Sequence, residues 1–292
     1  MRLVARDAKH LRELMAGTNE RHLAGVAFPN GLSSHLDVGS AEIVAYAVPA
    51  QAFAEALERH PLPAGAIGVI CAKGIDAERD ALLPTVAAQT GPRGTFAVLS
   101  GPGFAREIGE GCPTAMTLAA HGLERARALA KRLSTSRFRL YASDDPLGAA
   151  AGGALKNVAA IACGMARGLE LGASAEAALA TRAARELTRL VVALGGRAET
   201  FGGLSGLGDL MLTCTSSQSR NFGLGVALGR GDGSDGSLAE GSFSAAVAAR
   251  LARYHRVDAP IVSTVADILA GRSTPPEALD SLMQRPLRDE VS

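Results

Sequence analysis

Charge of one sign is what this sequence most plainly lacks. Thirty Lys and Arg stand against twenty-nine Asp and Glu, a formal net charge of +1. No strong field is available to draw in nucleic acid or an anionic membrane, so any recognition of phosphate has to be local. A leader is lacking too: the first twenty residues, MRLVARDAKHLRELMAGTNE, carry charges throughout and contain no apolar h-region. No later stretch reads as long and uncharged enough to span a bilayer, which points to a cytoplasmic protein without a membrane partner. Cysteine is sparse. Cys71, Cys112, Cys163 and Cys214 lack the paired spacing of a zinc site and the density of a disulfide scaffold. Reduced thiols are expected and no metal site. Cys71 and Cys163 sit in apolar runs as small core residues, and none of the four is a candidate nucleophile. No repeat recurs at a fixed period.

What is present is enough for a substantial core. With 292 residues, 47% hydrophobic and 20% charged, the chain has the length of about two domains. In the first half, short apolar runs (RLVA near the start, AEIVAYAVP at 41–49, GAIGVICAK at 65–73, TFAVLSGP at 95–102) alternate with helical patterns such as AQAFAEALERH and AERDALLPTVAAQ. That alternation predicts a parallel sheet with crossover helices. The runs end in Pro49, Lys73-Gly74 and Ser100-Gly101-Pro102, at the strand ends where open α/β sheets bind ligands. After Asp144-Asp145-Pro146 the strand signals stop. Residues 1–147 therefore read as one domain and 148–292 as a second, all-helical one. Its first helix is GGALKNVAAIACGMARG and its second SAEAALATRAARELTRLVVALGG, opened by Ser174 as N-cap and closed by Gly195-Gly196. GRGDGSDGS at 229–237 reads as a surface loop.

Three clusters carry chemistry. Lys156-Asn157 interrupts the small, apolar run GAAAGGALKNVAAIACG. A lone lysine on a helix usually snorkels to water, but with small or apolar residues one turn away on either side the helix carries this ammonium into a cleft. Partial desolvation there lowers its pKa and makes it a usable acid or base near neutrality. The second cluster, GLSGLGDLMLTCTSSQSRN at 203–221, gathers Asp209, Thr213, Ser219, Arg220 and Asn221. It reads either as a polar interhelical loop or as a phosphate clamp, in which guanidinium supplies a planar fork and its neighbours neutral donors. The third, SGPGFAREIGEGCPTA at 100–115, reads as a turn after a strand or as a close backbone approach to a ligand.

Taken with LTRLVVALGGRAETFGGLSGLGDLMLTCTSSQSRNFGLGVALGRG, these segments resemble, in order and spacing, the signature stretches of the bacterial NAD(P)-dependent glycerol-3-phosphate dehydrogenase family, over essentially the whole chain and most densely from about 96 to 230. The resemblance implies a Rossmann-like domain for NAD or NADP and an all-helical domain of the 6-phosphogluconate dehydrogenase C-terminal type. It implies hydride transfer at C2 between dihydroxyacetone phosphate and sn-glycerol 3-phosphate, a supply for phospholipid synthesis, and a homodimer. By the same resemblance Lys156 is the catalytic lysine that polarises the carbonyl and exchanges its proton. Lys73 lies where substrate meets cofactor, and Asp209 orients the lysine and the substrate hydroxyl. Ser219, Arg220 and Asn221 match a triplet facing the phosphate, with Arg220 also toward the cofactor. Gly101 and Gly103 stand at substrate positions, Ala105 at a cofactor position, Glu240 and Leu238 near the nicotinamide, and Arg6 where the adenosine ribose or its 2′-phosphate would lie.

The departures from the family pattern carry expectations too. Its opening strand and G-x-G-x-x-G loop, whose amides hold the pyrophosphate, have no counterpart, and Met1 falls where the second strand begins, a difference of about thirty residues. The expected sheet therefore lacks its first strand and the expected chain holds its cofactor weakly, as an enzyme read from too late a start codon or a gene fragment would. Gly103 replaces the family's Ser or Thr. The stretch before AEIVAYAVP and the loop between Asn221 and Glu240 are shorter. A non-catalytic paralogue that keeps the phosphate pocket is the alternative. A dehydrogenase for a non-phosphorylated hydroxy acid fits the same fold but leaves Arg220 and Asn221 without a purpose.

Overall fold

A computed structural model of the chain describes residues 1–90, 95–232, 240–286 and 289. Strand β1 (Arg2–Val4) leads through helices α1 (Ala8–Met15) and α2 (Glu20–Leu23) to β2 (Ser33–His35), and β1 and β2 form a parallel pair of their own. The main sheet starts at β3 (Ile43–Tyr46). It continues through α3 (Phe53–Arg59), β4 (Ile67–Ile70), the small hairpin of β5 (Ile75–Asp76) and β6 (Ala81–Leu82), α4 (Leu83–Thr90), β7 (Phe96–Ser100), α5 (Ala105–Gly109), β8 (Thr114–Ala120), α6 (Leu123–Leu133) and β9 (Phe138–Ser143). The strand order is β3-β4-β7-β8-β9.

Ile43 pairs with Ile67, Gly68 with Phe96 and Thr114 with Phe138, all parallel, whereas β8 runs antiparallel to β7 with Ala97 opposite Ala120. The expected parallel pairing holds for β3, β4 and β7, and β8 is an addition to it. The antiparallel step arises because β7 and β8 are joined by the short α5 segment and a turn rather than by a crossover helix, and such connections suit antiparallel neighbours. The far edge of β3 pairs with no described strand, and β1–β2 stands apart from it, in keeping with the expected break in the sheet. Along β4 and β7 side chains alternate between two cores: Ile70 and Val98 pack with Phe53, Leu57, Leu83 and Val86 on one face, Val69 and Ala97 with Leu129 and Ala130 on the other. Burial on both faces explains why these strands read as unbroken apolar runs.

After β9 the described elements are all helical: α7 (Pro146–Gly168), α8 (Ala173–Ala193), α9 (Ala198–Phe201), a π-helical turn at Leu204–Gly208, α10 (Asp209–Thr215), α11 (Arg220–Arg230), α12 (Glu240–Tyr254), α13 (Pro260–Leu269) and α14 (Pro275–Met283). The N-cap of α8 is Gly172 rather than Ser174, which lies inside the helix. Residues 229 and 230 of the expected surface loop close α11, Gly231 takes the left-handed cap, and 233–239 lie outside the described residues. The first amides of α13 are received by a side chain from α8, since Ile261 and Val262 donate to the buried Glu186 carboxylate at 2.9 and 3.3 Å. Burial pushes the pKa of that carboxyl up to about 7 despite these bonds.

Candidate active site

The site is built around α7. Pro146 sits in its first turn, and the Asp145 carboxylate accepts from Gly148 N and from Arg197 N, both at 2.8 Å. Asp145 thus caps the helix and ties it to the lead into α9. Alanines and glycines dominate 148–154, so neighbouring chain approaches closely: a Cβ on Gly152 would lie 2.8 Å from Ser205 O, and one on Gly196 2.5 Å from Gly148 Cα. Nearly every residue of α7 is buried. It is long and apolar enough to cross a membrane, contrary to the sequence expectation, but the whole window is enclosed by the protein's own helices.

Lys156 projects from this helix with 7% of its surface exposed, so it does not snorkel. Its Nζ donates to Asp209 Oδ1 at 2.8 Å and to Thr213 Oγ1 at 2.7 Å. Thr213 in turn donates to the Asp209 carbonyl one helical turn back at 2.6 Å. From the loop after β4, Lys73 donates to Asp209 Oδ2 at 2.7 Å and to Gly101 O, at the end of β7, at 2.8 Å. One carboxylate, 1% exposed, therefore bridges two lysines from different elements. Burial pulls the Lys156 pKa down, the nearby Lys73 charge adds to that, and Asp209 opposes both. The balance suits an ammonium that must give up its proton and recover it. Beside this cluster Ser100 Oγ, 2% exposed, has no partner among the described residues and points at Gly153, whose Cβ would lie 2.4 Å from it.

A second set of groups is brought alongside α7 by α11. A Cβ on Gly225 would fall 2.1 Å from Ile161 O and one on Gly164 2.2 Å from Phe222 O, and Gly168 and Gly229 repeat the contact one turn further on. Four glycines at G-x-x-x-G spacing let the two backbones touch. The N-terminus of α11 is thereby set against the stretch of α7 that carries Asn157 and Ile161. Ser219 caps α11 by accepting from Phe222 N at 3.3 Å, Arg220 is exposed at the first position, and Asn221 Oδ1 accepts from Gly241 N at 2.9 Å.

Lys156, Lys73, Gly101 and Asp209 are thus joined by direct hydrogen bonds, and Ser219, Arg220 and Asn221 share one helix start. The other expected positions are less closely tied. Gly103 packs against Ile108, Met116 and Thr114, and Ala105 is exposed at the start of α5. Arg6 is mostly exposed after β1, 3.3 Å from Asp7. Glu240 heads α12, and Leu238 lies outside the described residues. Thr213 had no assigned role, yet its place four residues after Asp209, on the same helix face, was the available signal. Cys163 is buried, as expected of a core thiol, whereas Cys71 is only half-buried; desolvation pushes Cys71 up to about 11, and contact with Cys163 together with burial raises the buried Cys214 far above its ordinary value.

Family models for NAD-dependent glycerol-3-phosphate dehydrogenase match this chain twice, the N-terminal model over residues 1–126 and the C-terminal model over 145–280. A glycerol-3-phosphate dehydrogenase [NAD(P)+] from Agrobacterium fabrum is 48% identical over 296 residues, covering 99% of this chain and 90% of its own length. One from Rhizobium johnstonii is 46% identical over 297 residues, covering 99% and 91%. Among solved structures, glycerol-3-phosphate dehydrogenase from Coxiella burnetii superposes with a TM-score of 0.89 at 36% identity, covering 97% of this chain and 91% of that one.

Proposed function

The chain belongs to the NAD-dependent glycerol-3-phosphate dehydrogenase family, and from that premise we propose how its residues divide the reaction. It is an oxidoreductase that interconverts sn-glycerol 3-phosphate and dihydroxyacetone phosphate with NAD or NADP. In our reading Lys156 Nζ donates its proton to the C2 oxygen as the carbonyl becomes an alcohol, and takes it back in the oxidation. The observation that carries this reading is the Asp209 carboxylate shared between Lys156 and Lys73. With one acceptor group held by two donors, the Lys156 ammonium is fixed in direction as well as in pKa, which is what a positioned general acid requires. Lys73 holds the far carboxylate oxygen and the Gly101 carbonyl, and so ties the strand-end loops to the helical part. Gly101 and Gly103 line the substrate side.

The sheet suits a dinucleotide at its carboxyl ends. The loops after β3 and β4 meet at the carboxyl ends of their strands, where a Cβ on Gly74 would lie 2.4 Å from the Ala50 Cβ, and strand ends of this kind are where open α/β sheets hold ligands. NAD(P)H, when bound, supplies the hydride. Arg6, Lys73, Ala105, Arg220, Leu238 and Glu240 are the residues we assign to holding it. Residues 1–147 serve the cofactor and 148–292 complete the substrate site. Ser219, Arg220 and Asn221 take the phosphate. The protein works in the cytoplasm as a homodimer in this reading. The non-catalytic alternative finds no support, because both lysines and their shared carboxylate are in place.

The phosphate assignment is tested by Arg220→Lys, which keeps the charge and loses the planar fork. Charge-assisted bonds contribute about 1.5–3 kcal/mol each, so the KM for dihydroxyacetone phosphate should rise by about tenfold or more, and that for unphosphorylated dihydroxyacetone much less. Equal defects for both compounds would remove the phosphate from Arg220.

A further inference from the structure

We propose that Gly241 is a positioning residue of the phosphate clamp, acting through Asn221: its backbone N–H fixes the Asn221 amide so that only N–H donors face the substrate. The inference rests on the reading that Ser219, Arg220 and Asn221 take the phosphate. A backbone N–H can only donate, so the atom it meets at 2.9 Å is the Asn221 carbonyl oxygen Oδ1, and the two hydrogens on Nδ2 are left for a ligand. Ser219 behaves in the same way, its oxygen accepting from Phe222 N while its hydroxyl hydrogen stays available. Arg220 carries no acceptor at all. The triplet has therefore turned acceptor atoms inward on backbone amides, and a phosphate, itself an acceptor, meets donors.

The lock needs a glycine. A Cβ at 241 would lie 2.5 Å from Asn221 Oδ1, 2.8 Å from Ile161 Cδ1 and 3.1 Å from Asn157 O. The last of these is backbone of the buried helix α7, so the Asn221 side chain is the part that gives way. Nothing in the conformation of Gly241 itself demands glycine, since its φ is not among the positive values. In an ordinary helix Gly→Ala is favourable, so a merely structural view predicts no defect directed at phosphate. Gly241 also follows Glu240 directly, and the same contact fixes the start of α12 against the clamp.

The experiment is a double-mutant cycle on the full chain with Gly241→Ala, Asn221→Ala and the pair together. It reads the KM and kcat for dihydroxyacetone phosphate and for dihydroxyacetone, and the Kd for inorganic phosphate by calorimetry. Asn221→Asp is added because it keeps an oxygen for Gly241 N–H while setting a second oxygen toward the phosphate. Gly241→Ala is expected to raise the KM for the phosphorylated substrate and the Kd for phosphate by about tenfold, the loss of one charge-assisted bond. The loss should fall on KM rather than kcat. In the Asn221→Ala background the same change should cost almost nothing further, and Asn221→Asp should weaken phosphate more than Asn221→Ala does. Full additivity, or an unchanged Kd in Gly241→Ala, overturns the proposal while the phosphate reading stands. Asn221→Ala acting equally on both substrates, without effect on the Kd for phosphate, overturns Asn221's part in the phosphate reading and the proposal with it.

Discussion

Two glycines on one helix should respond to alanine with opposite signs. Gly223 and Gly225 lie two residues apart in α11; nothing among the described residues stands within 4 Å of a Cβ at 223, whereas one at 225 would lie 2.1 Å from Ile161 O and 2.9 Å from Gly164 Cα. At 223 alanine changes little besides helix propensity, so Gly223→Ala should stabilise by about 0.5–1 kcal/mol. At 225 the same gain is available, but the contact must open by about 1 Å or more to reach ordinary van der Waals distance. Overpacking a well-packed interior costs about 1–3 kcal/mol, sometimes more. Both partners here are backbone, so no side chain can swing away and the upper part of that range applies. The net expectation is destabilisation of about 2 kcal/mol or more, set against the propensity gain. Urea or thermal unfolding of the two variants beside the parent protein measures the difference. The displaced α11 also carries Arg220 and Asn221 away from α7, so Gly225→Ala should raise the KM for dihydroxyacetone phosphate. If Gly225→Ala proves as stable as Gly223→Ala, the backbone contact between α7 and α11 is not as close as described.

Asp209→Asn should lower the Lys156 pKa further, because the carboxylate is what opposes burial and the Lys73 charge. The alkaline fall in the rate of ketone reduction should then move to lower pH, and a limb that stays in place would contradict the shared-carboxylate account. Glu186 gives a stability test. Its pKa rises from an ordinary 4.5 to about 7 on folding, so the native state holds its proton more tightly and stability is lost as pH climbs from about 4.5 through about 7, by about 3 kcal/mol in all. Glu186→Gln mimics the protonated form and should gain in melting temperature relative to the parent as pH goes from 5 to 8; a pH-independent difference would contradict this.

How much was legible in the sequence differs from element to element. β3, β4 and β7 were readable because burial on both faces makes them continuous apolar runs. β8 and β9 were not, since their mixtures of Thr, Ala, Arg and Ser at 114–120 and 138–143 carry neither that run nor a clean alternation. α7 was readable as a helix, but its start lay six residues earlier than the pattern suggested, because Asp145-Pro146 is a strong N-terminal signal that the alanine-rich pattern overshadowed. The lysines and Asp209 were found individually from context and resemblance. That a single carboxylate spans both lysines depends on packing between residues 136 and 53 positions apart, which no local pattern encodes. The α7–α11 contact leaves its mark in two G-x-x-x-G segments, Gly164/Gly168 and Gly225/Gly229, but the spacing does not say which two segments meet.

The central claim, that Lys156 gives its proton to the C2 oxygen from a site organised by Asp209, is tested most directly by Lys156→Met under single-turnover conditions with saturating reduced cofactor. Methionine keeps the unbranched stem and removes the charge. The rate of dihydroxyacetone phosphate reduction should fall by about two to four orders of magnitude, as for loss of a positioned general acid, while the Kd for inorganic phosphate, which we assign to Ser219, Arg220 and Asn221, should change little. A near-normal single-turnover rate in that variant would contradict the account.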